Sequence, residues 1–112
     1  MPKILHLVHF KFFPEVEEDT IRDVCQHFIG LKDACIHPTT NQPYIVSTMG
    51  GKDNSPEGLQ RGYSHCFVFE FSSFEDRDYY IKHDPAHMAF GTYITGKVED
   101  MVMVMDFVPG IF

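Results

Sequence analysis

Tyr63-Ser64-His65-Cys66-Phe67-Val68-Phe69-Glu70-Phe71 alternates without a break: Tyr63, His65, Phe67, Phe69 and Phe71 fall on one side, Ser64, Cys66, Val68 and Glu70 on the other. A period of two places every bulky ring on one face only if the backbone is extended, so this stretch predicts a strand with a wholly aromatic inner face. Residues 3–12 alternate in the same way. Ile4, His6, Val8, Phe10 and Phe12 point to one side, and Lys3, Leu5, Leu7, His9 and Lys11 to the other. Both faces of this first strand carry apolar residues, which predicts a strand covered on both sides.

Helical signals lie between and after these strands. Asp19-Thr20 opens an amphipathic run in which Ile21, Val24, Cys25, Phe28, Ile29 and Leu31 recur at helical spacing, with Gly30 near its end. Tyr44 to Met49 reads as a second strand, and Gly50 to Gly62 as a turn-rich loop. Ser73-Phe74-Glu75-Asp76 has the form of a capping box, predicting a helix through about Lys82. Asp84-Pro85 supplies an N-cap and a first-turn proline for another helix, running to about Gly96. Met101 to Val108 closes the chain as a strand stopped by Pro109-Gly110. The order β-α-β-β-α(α)-β predicts one α+β domain over residues 1–112: a ferredoxin-like split βαβ with a four-stranded antiparallel sheet and helices on one face. The other face, with Leu5, Leu7, Val68, Met103 and Met105, would be left bare and apolar. A homodimer packing sheet against sheet is the expected cover, since a twofold interface is self-complementary.

Composition narrows the function classes. With 16 Asp+Glu against 9 Lys+Arg the net charge is −7, which argues against nucleic acid and against anionic lipid as partners. Forty-four per cent hydrophobic residues, including 11 Phe, are enough for a packed core and argue against disorder. No apolar run reaches the length of a membrane span, and the His-bearing stretch Met1 to Phe10 does not read as a signal peptide. Cys25, Cys35 and Cys66 are odd in number and lack CxxC spacing, so reduced thiols and a cytoplasmic location are expected.

His6 in the strand His-x-Val-x-Phe-Lys-Phe, Gly62-Tyr63-Ser64-His65, Tyr80-Ile81-Lys82-His83-Asp84-Pro85-Ala86-His87 before Phe90-Gly91, and the closing Asp106-Phe107-Val108-Pro109 together resemble the stress-responsive dimeric α/β-barrel (Dabb) family. The resemblance covers nearly the whole chain and implies two ferredoxin-like protomers forming a dimeric α/β barrel. A polyketide cyclase of that family works by intramolecular aldol condensation without metal or organic cofactor. By position, its catalytic His and Tyr correspond to His87 and Tyr80. The resemblance also implies a pocket lined by His6, His65, Val24, Cys25 and Phe28, and the faces that carry the two strand histidines add Val8, Phe10 and Phe67. Asp84 stands as an insertion in the His-Pro-Ala-His segment, which leaves open whether Tyr79 or Tyr80 faces the pocket.

The chemistry asked of these residues is simple. His87 would sit in the first turn of a helix, where the positive end of the dipole disfavours imidazolium and leaves a neutral base. Tyr80 would orient that ring or hydrogen-bond an oxygen gaining charge. His6 and His65, on adjacent strands, would be polar groups of an otherwise apolar pocket. His83 and His87 are four apart, but Asp84-Pro85 interrupts the helix that would align them, so no metal site is expected. The thiols have no electropositive neighbour in the sequence and read as small hydrophobes. The function that the resemblance implies is cofactor-independent cyclisation of a polyketide-like, carbonyl-rich intermediate, and the expected partner is a small hydrophobic carbonyl-containing ligand. A non-enzymatic stress-response or binding module, and a cofactor-free monooxygenase or lyase, are the alternatives.

Overall fold

The structure is a computed structural model that describes residues 2–112; Met1 lies outside the described residues. Strand β1 (Ile4–Phe10) is followed by helix α1 (Glu18–Ile29), the single turn α2 (Leu31–Ala34) and strand β2 (Ile45–Lys52). Strand β3 (His65–Phe71), helices α3 (Phe74–Lys82) and α4 (Pro85–Tyr93), and strand β4 (Met103–Phe107) complete the chain. The sheet order is β2-β3-β1-β4, and each neighbouring pair is antiparallel. This is the split βαβ order expected from the sequence, with β1 and β3 as the central pair.

Burial follows the alternation. Ile4, His6, Val8 and Phe10 of β1 and His65, Phe67, Phe69 and Phe71 of β3 are all buried under the helices. Val24 and Phe28 of α1, Tyr80 of α3 and Phe90 of α4 close over them. The opposite face carries Met49, Val68, Leu7 and Met105 in one row straight across the sheet. Met49 and Met105 are each 63% exposed, so this face is apolar and bare in a single chain.

Several boundaries differ from the sequence reading. The second strand runs on through Gly50, Gly51 and Lys52, which were assigned to a loop, because Gly50 pairs with Phe67 and Lys52 with His65. A side chain at position 50 would lie 2.2 Å from a ring carbon of Phe67, so the bare backbone of Gly50 is what lets that ring lie across β2. The first helix is two pieces separated at Gly30, which has helical dihedrals and whose N–H bonds Gln26 O. The fourth helix stops at Tyr93 with Ile94 as its cap, short of Gly96, which takes a positive φ of 82°. The ladder of β4 begins at Met103 and not at Met101, and that of β3 at His65 and not at Tyr63. Both expected caps are present: Ser73 Oγ accepts from Asp76 N–H at 3.1 Å, and Asp84 caps α4.

Candidate active site

Helices cover the inner faces of β2, β3 and β1, whereas Val104, on the inner face of β4, is still 49% exposed. Between this uncovered strip and helices α3 and α4 lies a cavity of about 340 Å³. His6, Val8 and Phe10 of β1, Phe28 of α1, and Tyr80 and His87 line it. Ile81, Phe90, Gly91, Ile94, Val102 and Val104 complete the wall, which carries no Lys, Arg, Asp or Glu.

The junction of α3 and α4 sets His87. Near the end of a helix the last carbonyls have no intrahelical partner. One of these, the carbonyl of Tyr80, accepts a hydrogen bond from His87 Nδ1 at 2.8 Å. A carbonyl can only accept, so Nδ1 bears the proton and Nε2 keeps its lone pair. The Tyr80 ring stacks on the His87 ring at 4.0 Å between centroids and meets the edge of His6 at 5.7 Å. Burial is the largest influence on His87 and lowers its pKa from the ordinary 6.5; His6 nearby also lowers it, while the Tyr80 carbonyl and Asp84 oppose the shift. A neutral imidazole was expected at the helix start, and burial outweighs the neighbouring groups in producing it.

His6 is held from the other side. Its Nδ1 donates to Asp106 Oδ1 at 2.7 Å, and Arg77 donates to Asp106 Oδ2 at 3.0 Å. The Nε2 atoms of His6 and His87 make no hydrogen bond among the described residues, and neither is sealed from solvent. Tyr80 differs. Its hydroxyl is buried without a partner among the described residues, and burial holds its pKa well above the ordinary phenol value. It is thus the main-chain oxygen of Tyr80, and not the phenol, that orients His87. Of the two tyrosines left open by the sequence, Tyr80 lines the cavity and Tyr79 packs on the other side of α3 against Tyr44.

Four residues expected in the pocket lie elsewhere. Val24 is fully buried in the core. Cys25, His65 and Phe67 border grooves on the far side of α1. The rings of Phe10, Phe28 and Phe67 pack 4.9 to 5.2 Å apart and fill the space between the two ends of the inner face. His65 therefore shares a face with His6 but not a cavity; it bonds Ser64 Oγ at 2.9 Å. Asp106 and Arg77 were missed. A signal for Asp106 was present, since Val102, Val104 and Asp106 share one parity on a strand that the split βαβ order places beside β1. No group of three or more His, Cys, Asp or Glu side chains that could hold a metal occurs among the described residues.

Two histidines whose pKa values are lowered in the fold, His65 and His87, make stability depend on pH. His65 is lowered by burial and by Lys52, and His87 by burial first. Each ring binds protons more weakly in the folded chain than in the unfolded one, so stability is full above the ordinary imidazole value and is lost on acidification through it. Melting temperature followed by circular dichroism is expected to fall between about pH 7 and about pH 5, before most carboxylates titrate. Replacing both His65 and His87 by Gln should flatten that slope.

A family model described as Stress responsive A/B Barrel Domain matches residues 4–109. The Stress-response A/B barrel domain-containing protein HS1 of Arabidopsis thaliana is 46% identical over 59 residues, a match that spans 53% of this chain and 52% of that protein, about half its length. Olivetolic acid cyclase of Cannabis sativa is 28% identical over 106 residues, covering 95% of this chain and 96% of that one. Among solved structures, protein At3g17210 of Arabidopsis thaliana superposes with a TM-score of 0.81 at 31% identity, over 97% of both chains. A dimeric ferredoxin-like protein of unknown function from Jannaschia sp. CCS1 does so with a TM-score of 0.72 at 20% identity, over 94% of this chain and 97% of that one. No helix among the described residues is long and apolar enough to cross a membrane. On a match that runs from the first residue of β1 to beyond the end of β4, the chain belongs to the stress responsive A/B barrel domain family.

Proposed function

We propose that this chain is a cofactor-independent cyclase that closes a ring on a polyketide-like, carbonyl-rich substrate, with His87 as general base. The observation that carries the reading is the fixed tautomer of His87: Nδ1 is committed to the Tyr80 carbonyl, so the basic Nε2 remains free in an apolar cavity. A carbon between two carbonyls is acidic enough for a base of this strength, provided the two meet within hydrogen-bond reach. Nε2 takes that proton, and the carbanion closes on a distant carbonyl of the same chain. One C–C bond forms, and the carbonyl electron pair moves to its oxygen. His87, now imidazolium, returns the proton from Nε2 to that oxygen, which leaves the base as it began. Tyr80 contributes its ring as a platform and its carbonyl as the anchor of the base.

The wall limits the substrate. Without a cation in it, the cavity suits a neutral chain and disfavours a phosphate or a free carboxylate. Val104 and Ile81, both partly exposed, fit an apolar tail. Holding such a floppy chain folded supplies part of the rate enhancement. The similarity to olivetolic acid cyclase over 95% of this chain supports the cyclase class. We further propose that the bare sheet face, with Leu7, Val68, Met49 and Met105, is covered by a second copy of this chain.

A direct test needs no knowledge of the natural substrate. An alkyl 1,3-diketone in deuterated buffer should exchange its central hydrogens faster with the protein than with buffer alone, as read by proton NMR. Exchange no faster than buffer, with the diketone bound, would overturn the enzyme reading in favour of a binding module.

A further inference from the structure

Asp84 is 1% exposed and forms no ion pair with Lys or Arg among the described residues. All its partners are neutral. Oδ1 accepts from the N–H groups of Ala86 at 2.8 Å and His87 at 3.3 Å, and Oδ2 accepts from the Tyr44 hydroxyl at 2.5 Å. Its own N–H donates to the Tyr79 carbonyl at 3.0 Å. Tyr44 is itself buried just before β2, packed against Tyr79 and Phe71. Capping alone does not call for this arrangement, because in the same chain Ser73 caps α3 with a hydroxyl. Sealing a charge from water is unfavourable, and a serine would satisfy the same backbone donors without it.

We propose that Tyr44 and Asp84 are positioning residues for His87: the Tyr44 hydroxyl fixes the carboxylate, the carboxylate fixes the first turn of α4, and the charge faces the imidazole across that turn. The proposal deepens the reading of His87 as the base and rests on it. His87 lies three residues after Asp84, and one of the two backbone donors that the carboxylate holds is its own N–H. The groups facing the ring from the surrounding elements are Tyr80 of α3, His6 of β1 with Asp106 of β4 behind it, and Asp84; Cys35, just after α2, meets the main-chain N–H of His87 and not its ring. Asp84 brings the one carboxylate at the start of α4, and it favours the protonated ring against the effects of burial and of His6. Asp84 thus keeps the base from becoming too weak while Tyr44 keeps Asp84 in place. The phenol of Tyr44 is held neutral, first by burial and then by the carboxylate it bonds, so it remains a donor.

The test is an NMR titration of the His87 ring in protein labelled with ¹⁵N-histidine, compared with Asp84→Ser and Tyr44→Phe. Asp84→Ser retains a capping oxygen and removes the charge; the His87 midpoint is expected to move down by about half to one pH unit, less than a directly contacting ion pair gives. In Tyr44→Phe the released carboxylate loosens the turn, and the ring shifts should report a mixture of Nδ1–H and Nε2–H forms in place of the single Nδ1–H form. A helix cap acting only on stability would lower the melting temperature and leave both readouts unchanged. Folded variants with an unmoved midpoint and a single tautomer would overturn the proposal. Because the titration needs no substrate, that result stands apart from the diketone exchange, whose failure would remove the enzyme reading alone.

Discussion

His87→Gln is expected to lower the rate of diketone exchange, or of ring closure on a true substrate, by about 10²- to 10⁴-fold, the span that a positioned general base supplies. Glutamine can still donate one hydrogen bond to the Tyr80 carbonyl and fill much of the same volume, so the α3–α4 junction should persist. It cannot accept and release a proton near neutral pH. Ligand affinity, read by the change in intrinsic tyrosine fluorescence, should therefore change little while turnover collapses. The companion variant Tyr80→Phe separates the two roles assigned to that residue. Its phenol oxygen is buried and unpartnered among the described residues, and the anchor of His87 is a main-chain atom, so Tyr80→Phe should retain most of the activity. A Tyr80→Phe variant as inactive as His87→Gln would show that the phenol reaches the reacting oxygen after all, and the proton donor would pass from His87 to Tyr80.

The second large effect concerns the bare sheet face. Leu7 sits at the centre of the row formed with Met49, Val68 and Met105. In a twofold assembly each Leu7→Lys substitution appears twice and places a charge in an apolar interface, where it has no partner. Light scattering should then report the 12.9 kDa of one chain in place of twice that mass. The melting temperature should fall as well, by about 4–8 °C for each kcal/mol of lost burial. If the protein were a monomer, position 7 would be ordinary surface, and the same change would cost no more than about 0.5 kcal/mol. The contrast between the two expectations makes this one substitution decisive for the assembly.

The architecture was legible because the chain states it locally. The rings at Phe67, Phe69 and Phe71 mark one face, Ser73 and Asp84 mark two helix starts, and both faces of β1 are apolar. What failed was distance along the strands. Alternation assigns His65 and His6 to one face, but it says nothing of the Phe10, Phe28 and Phe67 rings that part them. Glycine was the other source of error. Gly50-Gly51 reads as a turn on propensity, whereas pairing with β3 keeps both residues extended and the Phe67 ring takes the space a side chain would fill. The Tyr44–Asp84 contact joins residues 40 apart in sequence, and nothing in the local pattern of either announces the other.

The anchor of His87 is an atom every residue possesses. Whatever side chain replaced Tyr80, the peptide oxygen at that position would still be offered to the imidazole as long as the two helices met at the same angle. Lineages could therefore exchange the walls around the cavity, one ring or branch at a time, without first losing the orientation of the imidazole. Such a scaffold allows descendants to diverge in what they accept while inheriting how they would act on it.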